Sequence, residues 1–204
     1  MTDQATLVAA HPNATKGSKE DNNKKDAPPK KEGSLKLDMA ALERAKGQLD
    51  EGPVTPSYGP WRDDIIALLN DSLATELVCV LRYKRHYFTA RGIAAPGVAD
   101  EFLEHAGQEE EHANRLAERI VQLGGMPDFS PDSLTSRSHA DYDGLTDLKA
   151  MLRADLTAER IAIEAYRQMV VLIGDKDPTT RRLIEEILEQ EEEHAEDLAD
   201  LLWE

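Results

Sequence analysis

Cysteine is nearly absent: Cys79 is alone in 204 residues, which excludes an internal disulfide framework and fits a reducing compartment. Nor does any stretch approach the roughly 20 apolar residues of a membrane span. The first residues lack the compact apolar run of a signal peptide, so the expected location is cytoplasmic. No convincing strand pattern occurs. Positive charge is scarce where most of the chain lies: residues 60–204 carry 15 basic against 31 acidic side chains, the whole formal net charge of −16. Such a surface disfavours duplex DNA and anionic lipid and suits a protein that attracts cations. With 40% apolar content, one domain with a sizeable core is expected.

Two copies of Glu-x-x-His are present, Glu109-Glu110-Glu111-His112 and Glu191-Glu192-Glu193-His194. Each follows a helical segment whose apolar stripe is broken by one acid, Glu76 before the first copy and Glu159 before the second. Residues three apart share a helix face, so the Glu and His of a pair can grip one ion. The inward positions of the first segment read Ile66, Leu69, Leu73, Glu76, Val80, Tyr83 and Tyr87. The second gives Phe102, His105, Glu109, His112, Leu116 and Leu123. The third gives Leu145, Leu148, Leu152, Leu156, Glu159, Ile163, Tyr166, Val170 and Ile173, and the fourth Ile184, Ile187, Glu191, His194, Leu198 and Leu201. All four seams follow the 3-4 spacing of a packed helix face. Unpaired buried carboxylates cost several kcal/mol each, on the order of what a small domain can spare, so metal must neutralise them if they are buried.

A single Glu-x-x-His in a glutamate-rich chain is more often a solvated face than a site. Two copies in register with Leu and Ile, each with an acidic break on another helix, are hard to obtain by accident. Four carboxylates and two imidazoles in this arrangement are the ligand set of a di-iron or di-manganese four-helix bundle. Glu110, Glu111, Glu192 and Glu193 face away from the seams as surface residues. Cys79, Met126, Met151 and Met169 read as packing residues.

Residues 1–33 are polar, with six Lys against five acids, and cannot offset their ordering entropy, so a disordered tail is expected. Residues 35–49 could form a short amphipathic helix, and Gly52 to Pro60, with three prolines, a linker; residues 1–59 thus precede a bundle domain at 60–204. The predicted helices run from Trp61 to Arg91, from Pro96 to Gly124-Gly125, from Gly144 to Ile173, and from Asp177 as N-cap with Pro178 first almost to Glu204. Short links make two antiparallel hairpins, joined by a long crossover at 126–142. That is an all-α, ferritin-like four-helix bundle.

Over residues 62–204 the chain resembles a bacterioferritin-type member of the ferritin-like superfamily. The resemblance is carried by Leu69-Asn70 through Glu76-Leu77-Val78 to Tyr83, by Glu109, His112, Ala113 and Arg115 with the Gly125-Met126-Pro127 that follows, by Asp155-Leu156 to Glu159, and by Ile187-Leu188 to Glu191 and His194. It implies Glu76 and Glu159 as terminal ligands, Glu109 and Glu191 as bridging ligands, and His112 and His194 as one imidazole per metal. It further implies two iron ions per subunit, with manganese as the other metal this donor set suits, and Fe(II) oxidation by O2 or peroxide. Tyr83 matches the family's tyrosine and is the candidate catalytic residue beside the ligands; Tyr166 stands in the same relation to Glu159 as Tyr83 does to Glu76. Both also read as core aromatics with a hydrogen-bonded hydroxyl. His105 is either an accessory iron ligand or a seam histidine with a polar partner.

The chain departs from the family in three places. Glu110 replaces the methionine that ligates haem in haem-binding bacterioferritins, so no haem is expected. Only ten residues follow His194, which leaves no room for the fifth helix of 24-subunit ferritins and favours a Dps-like shell of 12. The N-terminal extension lies outside the resemblance. Competing readings are a di-metal oxidase or oxygenase acting on an organic substrate, a manganese catalase, and a Dps-type DNA-protecting protein. The last would use the lysines at 16, 19, 24, 25, 30 and 31 as a tether, although the tail's acids nearly cancel them.

Overall fold

The computed structural model describes residues 35–92 and 94–203, and the expected disordered tail at 1–33 lies outside them. The chain opens with a short helix α1 (Met39–Arg44) and a 3-10 turn (Leu49–Glu51). Four long helices follow: α2 (Arg62–Thr89), α3 (Ala95–Gln122), α5 (Leu148–Ile173) and α6 (Pro178–Trp203), with the one-turn α4 (Leu134–Arg137) in the crossover between α3 and α5. Helix α2 packs along α3, and α5 along α6, as two antiparallel hairpins.

Local chemistry sets the ends. Helix α6 starts where Asp177 accepts from the Thr180 amide at 3.0 Å, the expected N-cap. Helix α5 starts at Leu148, four residues later than Gly144, because Asp147 accepts from the Ala150 amide at 2.9 Å and fixes the first turn there. Leu145 is therefore outside the helix and 38% exposed rather than on the seam. At the end of α3, Gly124 takes φ +79°, and a Cβ on Gly125 would come within 2.8 Å of Ile66 Cγ2, so this pair must be glycine for the crossover to leave. The helix expected over 35–49 is confined to 39–44: Asp38 caps it, and Gln48 in the left-handed region ends any continuation.

The segment before α2 is tied to the bundle. Val54 and Tyr58 pack on the core, and the Tyr58 hydroxyl donates to Asp177 at 2.6 Å. Asp177 also receives the buried Arg119 guanidinium at 2.9 Å and 3.0 Å. The crossover is held against α2 in the same way: Arg137 donates to the Asn70 carbonyl at 2.7 Å, and the His139 amide to Thr75 Oγ1 at 3.0 Å.

The core is divided into two apolar regions. One gathers Ile65, Leu69, Leu73, Leu116, Ile120, Tyr166, Met169, Ile173, Ile184 and Ile187. The other gathers Cys79, Tyr83, Val98, Phe102, Met151, Leu152 and Leu198. Each fully buried Leu or Ile contributes about 1.5–3 kcal/mol. Ala74, Ala106, Ala113, Ala158 and Ala162, absent from a reading based on large side chains, are also buried. Of the methionines expected to pack, Met151 and Met169 do, whereas Met126 is 84% exposed because the chain turns outward after Gly125. Between the two apolar regions lies a layer of acids and imidazoles.

Candidate metal centre

Glu76 on α2, Glu109 and His112 on α3, Glu159 on α5, and Glu191 and His194 on α6 are each at most 2% exposed. Their intervening acids Glu110, Glu111, Glu192 and Glu193 are exposed, as the seam register requires. The six converge as two overlapping groups whose donor atoms lie within 4.8 Å of one another: Glu76, Glu109, His112 and Glu191 in one, Glu109, Glu159, Glu191 and His194 in the other. Glu109 and Glu191 belong to both groups, and each group has one imidazole.

The orientation of the imidazoles comes from a residue type that reading the sequence for ligands overlooked. Gln108 and Gln190 immediately precede the two Glu-x-x-His segments. His112 Nε2 donates to Gln190 Oε1 at 2.8 Å, and His194 Nε2 to Gln108 Oε1 at 2.8 Å, so each hairpin orients the other's imidazole. With Nε2–H committed to a glutamine oxygen, Nδ1 is the ring nitrogen that faces the layer, free to ligate once its own proton is displaced. His112 Nδ1 stands 3.0 Å from Glu191, 3.4 Å from Glu109 and 3.6 Å from Glu76. His194 Nδ1 stands 3.6 Å from Glu109 and Glu191 and 3.9 Å from Glu159. The doubled Gln-Glu-x-x-His spacing was the signal that could have found these glutamines.

Both tyrosines are buried on this layer, and each serves the opposite hairpin. Tyr83 on α2 donates to Glu159 Oε1, and Tyr166 on α5 donates to Glu76 Oε1. His105 is buried too, its Nδ1 3.3 Å from the Tyr83 hydroxyl and its ring stacked on His194 with centroids 4.2 Å apart.

A second buried polar group adjoins the tyrosines. Asp155, one turn before Glu159, receives Arg82 Nε at 2.7 Å and His86 Nδ1 at 2.8 Å, and all three are at most 1% exposed. His86 Nε2 reaches Asp143 of the crossover at 3.1 Å, and Arg82 donates to the Asp141 carbonyl at 2.9 Å. Burial alone would lower the His86 pKa, but its bonds to Asp155 and Asp143 outweigh that and raise it. Arg82 and His86 are four apart on α2, facing Asp155 across the interface, a pairing that single-helix periodicity does not reveal.

Nothing among the described residues satisfies the centre of the layer. Both oxygens of Glu109 and of Glu191, Glu159 Oε2, and the Nδ1 atoms of His112 and His194 are buried without a hydrogen-bond partner. Each such atom costs about 1–3 kcal/mol if left unmet. Their titration reflects the same crowding. Burial and the adjacent Glu109 push the Glu76 carboxyl up to about 8, and burial with Glu76 nearby pushes Glu191 up to about 7. Burial works to raise Glu159 as well, but the His194 imidazole outweighs it and holds the carboxyl at about 2. Burial opposes charge on His194, yet Glu109, Glu159 and Glu191 around it keep its pKa up at about 12. Without metal, the layer is a proton-sharing cluster. Two cations would satisfy every orphaned atom, and carboxylate oxygens with imidazole nitrogens fit iron or manganese.

A four-helix bundle with such paired ligand sets defines a di-metal carboxylate protein. The ferritin-like domain family matches residues 66–204, and the chain belongs to it. Among its relatives is the nutrient stress-induced DNA-binding protein of a Synechococcus species, 33% identical over 139 residues covering 66% of this chain and 78% of that protein. The bacterioferritin of Mycobacterium avium is 27% identical over 132 residues, 64% of this chain and 79% of the relative. Similar solved structures include a dodecameric thioferritin from Bacteroides fragilis, with TM-score 0.66 and 30% identity over 80% of this chain and 92% of that one. An archaeal Dps homologue from Halobacterium salinarum has TM-score 0.66 and 28% identity, covering 69% and 80% of the two chains. Among the described residues no helix is long and apolar enough to cross a membrane.

Proposed function

We propose that this protein is a di-metal oxidase whose substrate is Fe(II), with Glu76, Glu109, His112, Glu159, Glu191 and His194 as ligands. The observation that carries this reading is the set of buried carboxylate oxygens and imidazole Nδ1 atoms with no hydrogen-bond partner among the described residues. Two Fe(II) held by the shared Glu109 and Glu191 would together supply the two electrons that reduce O2 to hydrogen peroxide, or peroxide to water, with two protons taken up. The Fe(III) formed would then move on as an oxide or hydroxide mineral.

The surrounding residues have defined tasks in this scheme. Gln108 and Gln190 hold the imidazoles with Nδ1 inward, and Tyr83 and Tyr166 fix one oxygen of each terminal carboxylate. With the ligands almost without exposure, reactants reaching them must be small, which favours O2 and peroxide over an organic substrate. Assembly into a homo-oligomeric shell completes the proposal. Twelve subunits are favoured by the likeness to the dodecameric thioferritin.

Replacing both Glu109 and Glu191 by Ala is expected to abolish rapid Fe(II) oxidation in stopped-flow mixing with O2 while the shell, measured by native mass, stays assembled. Unchanged oxidation would sink the assignment.

A second reading, protection of DNA, is favoured by the names of two relatives: the Synechococcus protein and the Halobacterium salinarum DNA protection during starvation protein, 29% identical over 136 residues. It is compatible with iron oxidation, since removing Fe(II) and peroxide together protects nucleic acid without contact. Direct binding would fall to the lysines of residues 16–31. A gel shift of duplex DNA at low salt that disappears when residues 1–33 are deleted would support it, and no shift at low salt would dispose of it.

A further inference from the structure

The stripe of ligands on α3 and α6 does not stop at the di-metal layer. One turn before Glu109 comes His105, and four residues before that Glu101; three residues after His194 comes Asp197. Donor atoms of Glu101, His105 and Asp197 lie within 4.8 Å of one another. His105 Nε2 is 3.2 Å from Glu101 Oε1 and 3.7 Å from Asp197 Oδ2.

The proton positions make this grouping informative. Tyr83 has one O–H, and it is donated to Glu159. Its oxygen can therefore only accept from His105, which places the imidazole proton on Nδ1 at 3.3 Å. Nε2 is left as a bare lone pair. It is buried, has no hydrogen-bond partner, and faces two carboxylates that also bring only lone pairs. Three acceptors aimed at one point need a cation between them. The His105 side chain is 1% exposed, Glu101 30% and Asp197 54%, so the group spans from solvent to the interior.

It also leads somewhere. The His105 ring stacks on His194 with centroids 4.2 Å apart, and the His194 ring lies 6.0 Å from His112, each pair inclined by 24°. His194 thus neighbours both His105, beside the partly exposed acids, and His112 of the buried layer.

We propose that Glu101, His105 and Asp197 form a third, mononuclear divalent-cation site, at which Fe(II) is first captured from solvent and from which it passes to the di-metal layer beside His194. This rests on the ferroxidase reading for its cargo. One imidazole and two carboxylates leave half of an octahedral ion's positions to water, so binding is weaker than in the layer and release inward requires only ligand exchange, with iron remaining Fe(II) throughout.

The test uses the assembled full-length protein, stripped of metal and titrated anaerobically with Fe(II), beside a Glu101→Gln/Asp197→Asn double variant. These two residues are partly exposed and the amides keep their shape, so the fold is retained; circular dichroism checks this. The native protein is expected to bind three ions per chain, two tightly and one weakly, and the variant two. With O2 added, the variant is expected to oxidise limiting Fe(II) several-fold more slowly, while its rate at saturating Fe(II) matches the native protein. Anomalous scattering from crystals grown with Mn(II) should place an ion at His105 Nε2. Two tight ions in both forms, with equal rates at limiting iron, would overturn the capture site and leave the ferroxidase reading intact. A native chain holding only one weak ion, lost in the variant, would overturn the ferroxidase reading instead.

Discussion

Tyr166 and Glu76, 90 positions apart in the chain, are joined by a buried hydrogen bond in which the phenol donates to the carboxylate. Its counterpart joins Tyr83 to Glu159 in the opposite direction between the same two helices. Each tyrosine therefore sets the position of one terminal carboxylate only. Tyr166→Phe is expected to weaken the site built on Glu76 and His112, and Tyr83→Phe the site built on Glu159 and His194, each by roughly tenfold. Anaerobic Co(II) titration of the two variants would show one tight and one weakened ion in each; two equally weakened ions would contradict this division.

The glutamines give a sharper case. Gln108→Leu removes the acceptor of the His194 Nε2 proton, leaving a buried donor unmet and the imidazole free to turn. Metal affinity is expected to fall about 10–100-fold at one site, and Gln190→Leu to do the same at the other. Gln108→Glu keeps an acceptor and is expected to retain most of the affinity. Equal affinities for the Leu and Glu variants would remove the glutamines from the scheme.

Metal-free protein is expected to lose stability as pH rises. Between the ordinary carboxylate value and about 8, the folded chain keeps a proton on Glu76 that the unfolded chain has released, so rising pH favours unfolding through that window. Glu191, held up at about 7, and His194, at about 12, act in the same direction. Glu159 acts oppositely, but only in acid: held at about 2, its contribution is complete above the ordinary carboxylate value and is lost as pH falls toward 2. Metal displaces the shared protons, so at about a hundredfold excess over Kd it adds about 2.7 kcal/mol, and that Kd tightens as pH rises. Thermal unfolding from pH 5 to 8 should show a falling Tm for the stripped protein and a widening gap to the Mn(II)-loaded form. A constant gap would contradict the proton-sharing cluster.

Asp155→Asn is expected to destabilise the fold by about 3–5 kcal/mol, because it leaves Arg82 buried without its counter-charge. Urea unfolding at neutral pH measures this directly. A loss below about 1 kcal/mol, the level of a surface pair, would mean that Arg82 finds another partner.

The bundle and its six inward acids and imidazoles were legible because helix periodicity carries both facts at once: a Glu or His that replaces Leu every third or fourth residue declares its helix and its face. Leu145 misled for the converse reason, since an apolar residue in register says nothing about where capping by Asp147 begins the helix. Partners across helices were not legible. The sequence puts Tyr83 two turns from Glu76, yet its hydroxyl meets Glu159, and Asp155 finds Arg82 and His86 only because α2 and α5 lie side by side. Small residues hid as well: Ala106 and Ala113 line α3 beside Glu109 and His112 but contribute little to a hydrophobic pattern. Met126 seemed apolar enough to pack, and the Gly124-Gly125 turn sends it into solvent.

The first hairpin owns Glu76, Glu109 and His112, and the second owns Glu159, Glu191 and His194. Each ion group takes three donors from one hairpin and a single glutamate from the other, while the imidazole-orienting glutamines and the tyrosine hydroxyls are exchanged in full. Such reciprocity has the form of two copies of one helical pair facing each other across a two-fold axis, now strung on a single thread. Neither copy is a half-strength binder awaiting improvement; alone it has no oriented imidazole at all. Metal binding in such a layer is in that sense a joint act of two parts, and the crossover keeps both on one chain.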